Sequence, residues 1–251
     1  MPNTFDMLSS PVRQLRRPGA RSSRLELMDA PVNDPVELSA NFRDIERVNR
    51  LLGGTSIVLR HLPALLPQRS REPVTVLDLA TGSADIPHAV VQWAKQRRVD
   101  LRVIASDVSA EILDVARPRV DTNPEITLAE FDARQVPLPD RHVDIVLCSL
   151  ALHHFEPEDA VQVLREMDRL GRRGFILNDL RRDRLGYGAA WIASRVTTRN
   201  RLTRHDAPLS VHRAYTTDEL RELLDAAGIR GAEISTHPWF RMAAVSRQEV
   251  T

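Results

Sequence analysis

Cysteine is almost absent from this sequence: Cys148 stands alone among 251 residues. One thiol excludes an intrachain disulfide and makes a reducing compartment the natural setting. No apolar run approaches the roughly 18 residues that a membrane-spanning helix needs. Excess charge is missing too, with 35 basic residues against 34 acidic ones and a net +1. No global field therefore draws the molecule toward nucleic acid or an anionic membrane. Lys95 is the only lysine, a bias toward arginine that speaks of coding composition rather than function. The first residues lack the apolar core of a secretory signal. Asp6 and Glu26 weigh against reading the arginines of residues 13–24 as a transit peptide. A cytoplasmic protein built as one α/β domain is the expectation.

What the sequence does have is VLDLATGSADIPHAV, Val76 to Val90, with a further acid at Asp107. It reads as a buried strand, a glycine-containing turn and the start of an amphipathic helix, which together cradle adenosine cofactors. Free N–H groups at a helix start ordinarily favour phosphate. Here Asp78 lies near the strand's end and Asp85 where the helix begins. Two carboxylates flanking the turn would repel a pyrophosphate. They suit a cofactor with no phosphate and a positive charge, as in the sulfonium and ammonium of S-adenosylmethionine.

Three later segments extend the pattern. LRVIASDVSAEILDVAR, Leu101 to Arg117, is an apolar strand ending at Asp107, then a helix with Ser109 as N-cap and Pro118 as its stop. ITLAEFDARQVPLP, Ile126 to Pro139, gives a third strand and then Asp132 and Ala133; HVDIVLCSLALHHF, His142 to Phe155, gives a fourth. On these residues, from about Val74 to Gly174, the chain resembles the class I S-adenosylmethionine-dependent methyltransferases. The likeness is to the small-molecule branch of ubiquinone/menaquinone C-methyltransferases and natural-product O-methyltransferases. The resemblance implies that Asp78, Ala80, Gly82 and Ala84 form the first cofactor motif, which departs from the family in keeping only its middle glycine, and that Thr81 joins Asp78, Ala80 and Gly82 in binding the cofactor. It further implies that Asp107, beside Val108, accepts the ribose hydroxyls. Asp132 would accept from the adenine amino group, with the Ala133 backbone against the ring and Ser149 facing the methionine part.

The fold expected is Rossmann-like and doubly wound, with a mostly parallel seven-stranded sheet. Strands are placed near 74–80, 101–107, 125–130, 143–149 and 174–179, with 230–238 and 240–247 as an antiparallel edge hairpin by resemblance. Residues 1–30, rich in arginine, serine and proline, read as a flexible segment, and 31–251 as a single domain. Within it, 31–70 forms a cap of two helices, the first from Asp34 to Gly53 and the second from Thr55 to about Leu65. Either they cover the cofactor mouth or they merely cover one sheet face. LGRRG, Leu170 to Gly174, replaces a longer family turn and reads as a loop. Residues 181–215 form an unusually long connection, expected to be a helical lid.

Methyl transfer asks mainly for positioning, and a base helps when the acceptor is a hydroxyl. His153 and His154 follow strand four, and Asp179 follows strand five. By resemblance His153 is the base, with Asp179 orienting its ring, and His154 is the second candidate. No further ligand cluster has metal spacing, so no metal is expected. Tyr187, Trp191, His205, His212 and Tyr215 in the lid are the candidates for substrate contact, Trp191 lying in the apolar run LGYGAAWIASRV. A small aromatic or polyketide-like acceptor methylated on oxygen is the first reading. C-methylation of a quinol precursor is the second, and a non-catalytic cofactor-binding protein the third. SLALHHF lacks the Asn/Asp-Pro-Pro-aromatic motif of enzymes that methylate base nitrogens, so no nucleic-acid partner is expected. The oligomeric state has no signature.

Overall fold

Five apolar strands alternating with amphipathic helices can all be buried in a parallel sheet covered on both faces. The computed structural model, which describes residues 19–29, 34–68 and 72–248, has this arrangement. Strands β1 (Val74–Leu79), β2 (Leu101–Asp107), β3 (Ile126–Glu130), β4 (Val143–Ser149), β5 (Gly171–Leu180), β6 (Glu233–His237) and β7 (Arg241–Arg247) form one sheet, ordered β3-β2-β1-β4-β5-β7-β6. The first five run parallel, and β7 returns antiparallel between β5 and β6. Strand order reverses between β1 and β4, and such a reversal opens a crevice at the carboxyl ends of the strands. Asp78, Asp107 and Asp179 all lie at those ends.

The helices are α1 (Pro35–Leu51), α2 (Gly54–His61), α3 (Asp85–Arg97), α4 (Ala110–Val120), α5 (Pro157–Leu170), α6 (Arg184–Thr197), α7 (Arg201–Arg213) and α8 (Thr217–Ala227). Their starts follow side-chain chemistry. Asp34 accepts from the Val36 and Glu37 amides, Ser109 accepts from Ile112, and Thr216 with Glu219 forms a reciprocal capping box. Alternate strand residues feed two cores. Val76, Ile145 and Ile176 pack toward α2 and α3, while Leu77, Val146 and Leu177 pack toward α5 and α8. The two cap helices divide the roles left open by the sequence. Phe42 of α1 lies over the Gly82 turn, whereas Val58 of α2 joins the sheet core.

Three expectations are corrected. Pro118 does not end α4, which runs to Val120, because a proline in the last turn forfeits only one helical hydrogen bond. Leu170 to Gly174 is not a loop: β5 begins at Gly171, and a register shift opposite Val143 and Ile145 absorbs the tight exit. Residues 19–29 are packed rather than loose. Arg21 donates to the carbonyls of Arg213 at 2.7 Å, His153 at 3.0 Å and Phe155 at 2.7 Å. The Leu27 and Met28 amides donate to Asp206 at 2.8 and 3.0 Å. Polar fastening of this kind leaves no hydrophobic periodicity to read. The earlier part of the expected flexible segment, residues 1–18, lies outside the described residues.

Gly174 has φ +126°, and a Cβ there would fall 1.9 Å from the Ser246 carbonyl oxygen on β7. No side chain fits without parting the strands. Gly188, inside α6, has nothing within 4 Å of its would-be Cβ. Gly174→Ala should therefore cost about 3 kcal/mol or more, and Gly188→Ala should gain roughly 0.5–1 kcal/mol from helix propensity. Urea denaturation of both variants checks the pair, and a mild Gly174→Ala would refute this account of the β5–β7 junction.

Candidate active site

The turn after β1 is built from left-handed residues. Ala80, Gly82 and Ala84 have φ of 52°, 56° and 57°. Glycine enters that region freely, while alanine pays on the order of 1–2 kcal/mol, so the turn is held by its surroundings. Thr81 supplies much of the hold: its amide donates to the Ser106 carbonyl at 2.8 Å, and its hydroxyl donates to Asp78 at 2.6 Å. The Gly82 amide donates to Asp107 at 3.1 Å, and the Ser109 amide donates to the other Asp107 oxygen at 3.2 Å.

This corner concentrates carboxyl groups. Burial pushes the Asp78 carboxyl up to about 8, with Asp85 and Asp107 adding to the rise and the Thr81 hydroxyl opposing it. Burial also raises Asp107, against the amides of Ser109 and Gly82. Asp78 Oδ1 and Ser149 Oγ are buried without a hydrogen-bond partner. A cationic, hydroxyl-bearing ligand would supply both the missing charge and the missing donors. The residues present therefore fit S-adenosylmethionine.

Ala80, Asp107, Val108, Asp132 and Ala133, with Phe131, line a cavity of about 80 Å³. The structure thus gathers most of the adenosine-side candidates at one place. Asp132 is already engaged, however, accepting from the Arg134 guanidinium at 2.7 Å. That hydrogen bond, against the effect of burial, holds the Asp132 carboxyl below the usual range.

Across the crevice, β4 and β5 bring the predicted dyad together. His153 Nδ1 lies 2.7 Å from Asp179 Oδ1, and the His153 amide donates to the other Asp179 oxygen at 3.0 Å. Burial works to raise Asp179, but the imidazole and the amides of Leu180 and His153 outweigh it and hold the carboxyl low. The Asp179 contact takes up Nδ1 and leaves Nε2 as the unengaged ring nitrogen. It faces Glu26 Oε1 at 3.6 Å, too far for a hydrogen bond, and that buried oxygen has no partner.

His154 is held differently, with Nδ1 at 3.1 Å from Asp29 and Nε2 at 3.9 Å from Glu26. Burial alone would lower its pKa, yet Glu26, Asp29 and Asp179 carry it up to about 9. Glu26, His153 and His154 place ligand atoms within 4.8 Å of one another, the one such group among the described residues. The two rings are tilted by only 34° with centroids 4.4 Å apart. Both Nε2 atoms face the same Glu26 carboxylate, a cluster that the spacing of the sequence did not reveal.

The five lid candidates separate. Tyr187 and His212 meet edge-on at 5.9 Å and share a cavity of about 290 Å³. Trp191 lies outside under the Arg195 guanidinium at 4.0 Å. His205 pairs at 2.7 Å with Asp206, the residue that fastens Leu27 and Met28. The Tyr215 hydroxyl donates to the Phe155 carbonyl at 2.8 Å, so it braces the histidine turn. Sequence reasoning missed Glu26, a lone acid in an arginine-rich stretch. It also missed Arg241, buried with Nε and Nη1 unpartnered. Neither residue belongs to a local motif.

A reversed-order sheet, an acid-flanked nucleoside turn and a buried His–Asp pair at the strand ends define a class I methyltransferase architecture. Comparison with known proteins agrees. Residues 76–174 match the family described as "Methyltransferase domain". The ubiquinone/menaquinone biosynthesis C-methyltransferase UbiE of Laribacter hongkongensis is 30% identical over 123 residues, 49% of this chain and 48% of that protein. An uncharacterized methyltransferase of Mycobacterium bovis is 35% identical over 124 residues, 49% of this chain and 46% of its own. The chain thus spans about half the length of the curated relatives it matches. The plantazolicin methyltransferase BpumL, solved in complex with SAH, superposes with TM-score 0.59 at 15% identity, covering 85% of this chain and 90% of that one. That last likeness is one of fold. The family match is thus to a methyltransferase domain over residues 76–174, and the likeness beyond it is one of fold.

Since folding raises the His154 pKa from 6.5 to about 9, folding favours the charged ring. The contribution is complete below the unfolded value and is lost as pH rises through about 9. It should amount to on the order of 2 kcal/mol. Urea midpoints of the wild type should fall between neutral and alkaline pH more steeply than those of His154→Gln. Parallel profiles would show that the carboxylates around His154 do not hold its proton.

Proposed function

We propose that this chain transfers the methyl group of S-adenosylmethionine to a hydroxyl of a small aromatic or polyketide-like acceptor. The observation that carries the reading is the His153–Asp179 pair beside an acid-rich nucleoside turn. When bound, the cofactor supplies a methyl group activated on a sulfonium. Asp107 would hold the ribose and Asp78 the ammonium, with Ala133 against the adenine. The free Arg241 Nε and Nη1, close to the first turn of α2, suit the amino-acid carboxylate. Asp179 fixes the tautomer of His153, and Nε2 takes the hydroxyl proton as the methyl is delivered. Burial of both side chains excludes water that would otherwise protonate the base.

Cofactor contacts can be separated by ligand. Arg241→Met should weaken S-adenosylhomocysteine binding about 10- to 100-fold, yet barely change the affinity for 5′-methylthioadenosine, which lacks the carboxylate. Asp107→Ala should weaken both ligands by a similar factor. Calorimetry checks the four pairings, and equal losses for both ligands in Arg241→Met would make Arg241 a structural residue instead.

For the chemical step, His153→Ala should lower kcat about 10²- to 10⁴-fold with cofactor affinity nearly kept. Asp179→Asn should cost less. Steady-state assays across phenols and polyketide-like hydroxyls measure this. Near-full activity of His153→Ala would move the reading to carbon methylation of a self-activated ring, the reaction named for the Laribacter relative.

A further inference from the structure

Helix α6 has an unusual outer face. Of eleven large apolar side chains exposed among the described residues, five belong to this helix: Leu185, Tyr187, Trp191, Ile192 and Val196, at 43 to 79%. Leu185, Ile192 and Val196 recur at spacings of seven and four, which puts them in one line along the helix. The charges beside them have one sign. Arg184, Arg195 and Arg199 are exposed and form no ion pair among the described residues. The acids that bracket the stretch, Asp183 and Asp206, are buried and spent on backbone amides.

A second element stands beside it. The turn between β6 and β7 carries Trp239 and Phe240 at φ 61° and 57°, a left-handed pair that hairpins usually fill with asparagine and glycine. Phe240 turns under α6, its ring 2.7 Å from a would-be Cβ on Gly186. Trp239, the residue before it in the chain, is left 61% exposed. The strained turn thus presents an indole to solvent where a small polar residue would serve. Arg241, just after the turn, pairs with Leu180 at the carboxyl end of β5. The patch therefore lies on the same edge of the sheet as Asp179.

We propose that α6 and the β6–β7 turn form a docking surface for an anionic lipid membrane. The helix lies in the interface, with Leu185, Ile192 and Val196 toward the acyl chains and Trp191 and Trp239 at headgroup level. Arg184, Arg195 and Arg199 reach lipid phosphates. A local basic stripe does this although the net charge of the chain is only +1. Charge also selects lipid over a second copy of the chain, since a twofold contact would set like-charged arginines against each other. No helix among the described residues is long and apolar enough to cross a membrane, so the attachment is peripheral. The inference stands whether the acceptor is methylated on oxygen or on carbon.

The test is flotation of the full chain with vesicles of phosphatidylcholine, with and without phosphatidylglycerol. Binding should require the anionic lipid and fade as salt is raised. The double variant Ile192→Glu/Val196→Glu should bind at least roughly tenfold more weakly. Arg184→Glu/Arg199→Glu should lose the preference for phosphatidylglycerol. Both variants should keep wild-type melting temperature and S-adenosylhomocysteine affinity, which separates lost docking from lost folding. Absence of flotation with anionic vesicles, or flotation unchanged by Ile192→Glu/Val196→Glu, overturns the proposal. So does a dimer in sedimentation that the same variant dissociates, because the face would then belong to a second copy.

Discussion

A guanidinium taken out of water is tolerated only when its N–H groups find acceptors. Among the described residues three arginines are buried, Arg182, Arg213 and Arg241, and the two that are fully buried, Arg213 and Arg241, are treated oppositely. Arg213 is saturated: Nε donates to the His153 carbonyl at 3.1 Å, Nη2 to the His154 carbonyl at 2.6 Å, and Nη1 to the Arg24 carbonyl. One side chain from α7 thereby ties the N-terminal segment to the histidine turn. The placement of Glu26, Asp29, His153 and His154 depends on that saturation. Arg241 is left with free donors in the neighbourhood of Asp179 and Asp85, and burial pulls its pKa to about 10.

The carboxylates on the other side of the crevice follow the same logic. Asp78 and Asp107 are buried, and burial raises both, against the Thr81 hydroxyl at one and the Ser109 and Gly82 amides at the other. The left-handed alanines at positions 80 and 84 add backbone strain at the same turn. Each of these costs stability in the free chain, so the turn is held in place by its surroundings rather than relaxed around its own polar groups. The peripheral helices share the load. Phe42 presses on the turn, and Asn49 donates to Asp85 at 3.0 Å.

Much of this was legible in the sequence, and physics explains where legibility stopped. Strands of a parallel sheet are apolar on both faces, so β1, β2 and β4 stand out as continuous runs. Asp78, Gly82 and Asp107 were found because a strand–turn–helix motif is local in the chain. The His153–Asp179 pair needed the sheet order as well, which the resemblance supplied. Glu26 and Arg241 could not be read, because their partners or neighbours lie more than a hundred residues away, as His153 and Asn49 do. The segment around Arg21 misled for a related reason, since hydrogen bonds to backbone carbonyls impose no pattern on side-chain type. The Gly171–Gly174 exit misled because a register shift in a sheet and a surface loop favour the same residues.

The single cysteine acquires a meaning from its surroundings. Cys148 is fully buried in β4, and burial, with the carboxylates of Asp179 and Asp78, pushes its thiol well above the usual value. A thiolate is a far stronger nucleophile than a phenol or an alcohol, and an electrophilic methyl donor held nearby would alkylate it. Burial first, and then those two acids, keep this sulfur in its unreactive thiol form.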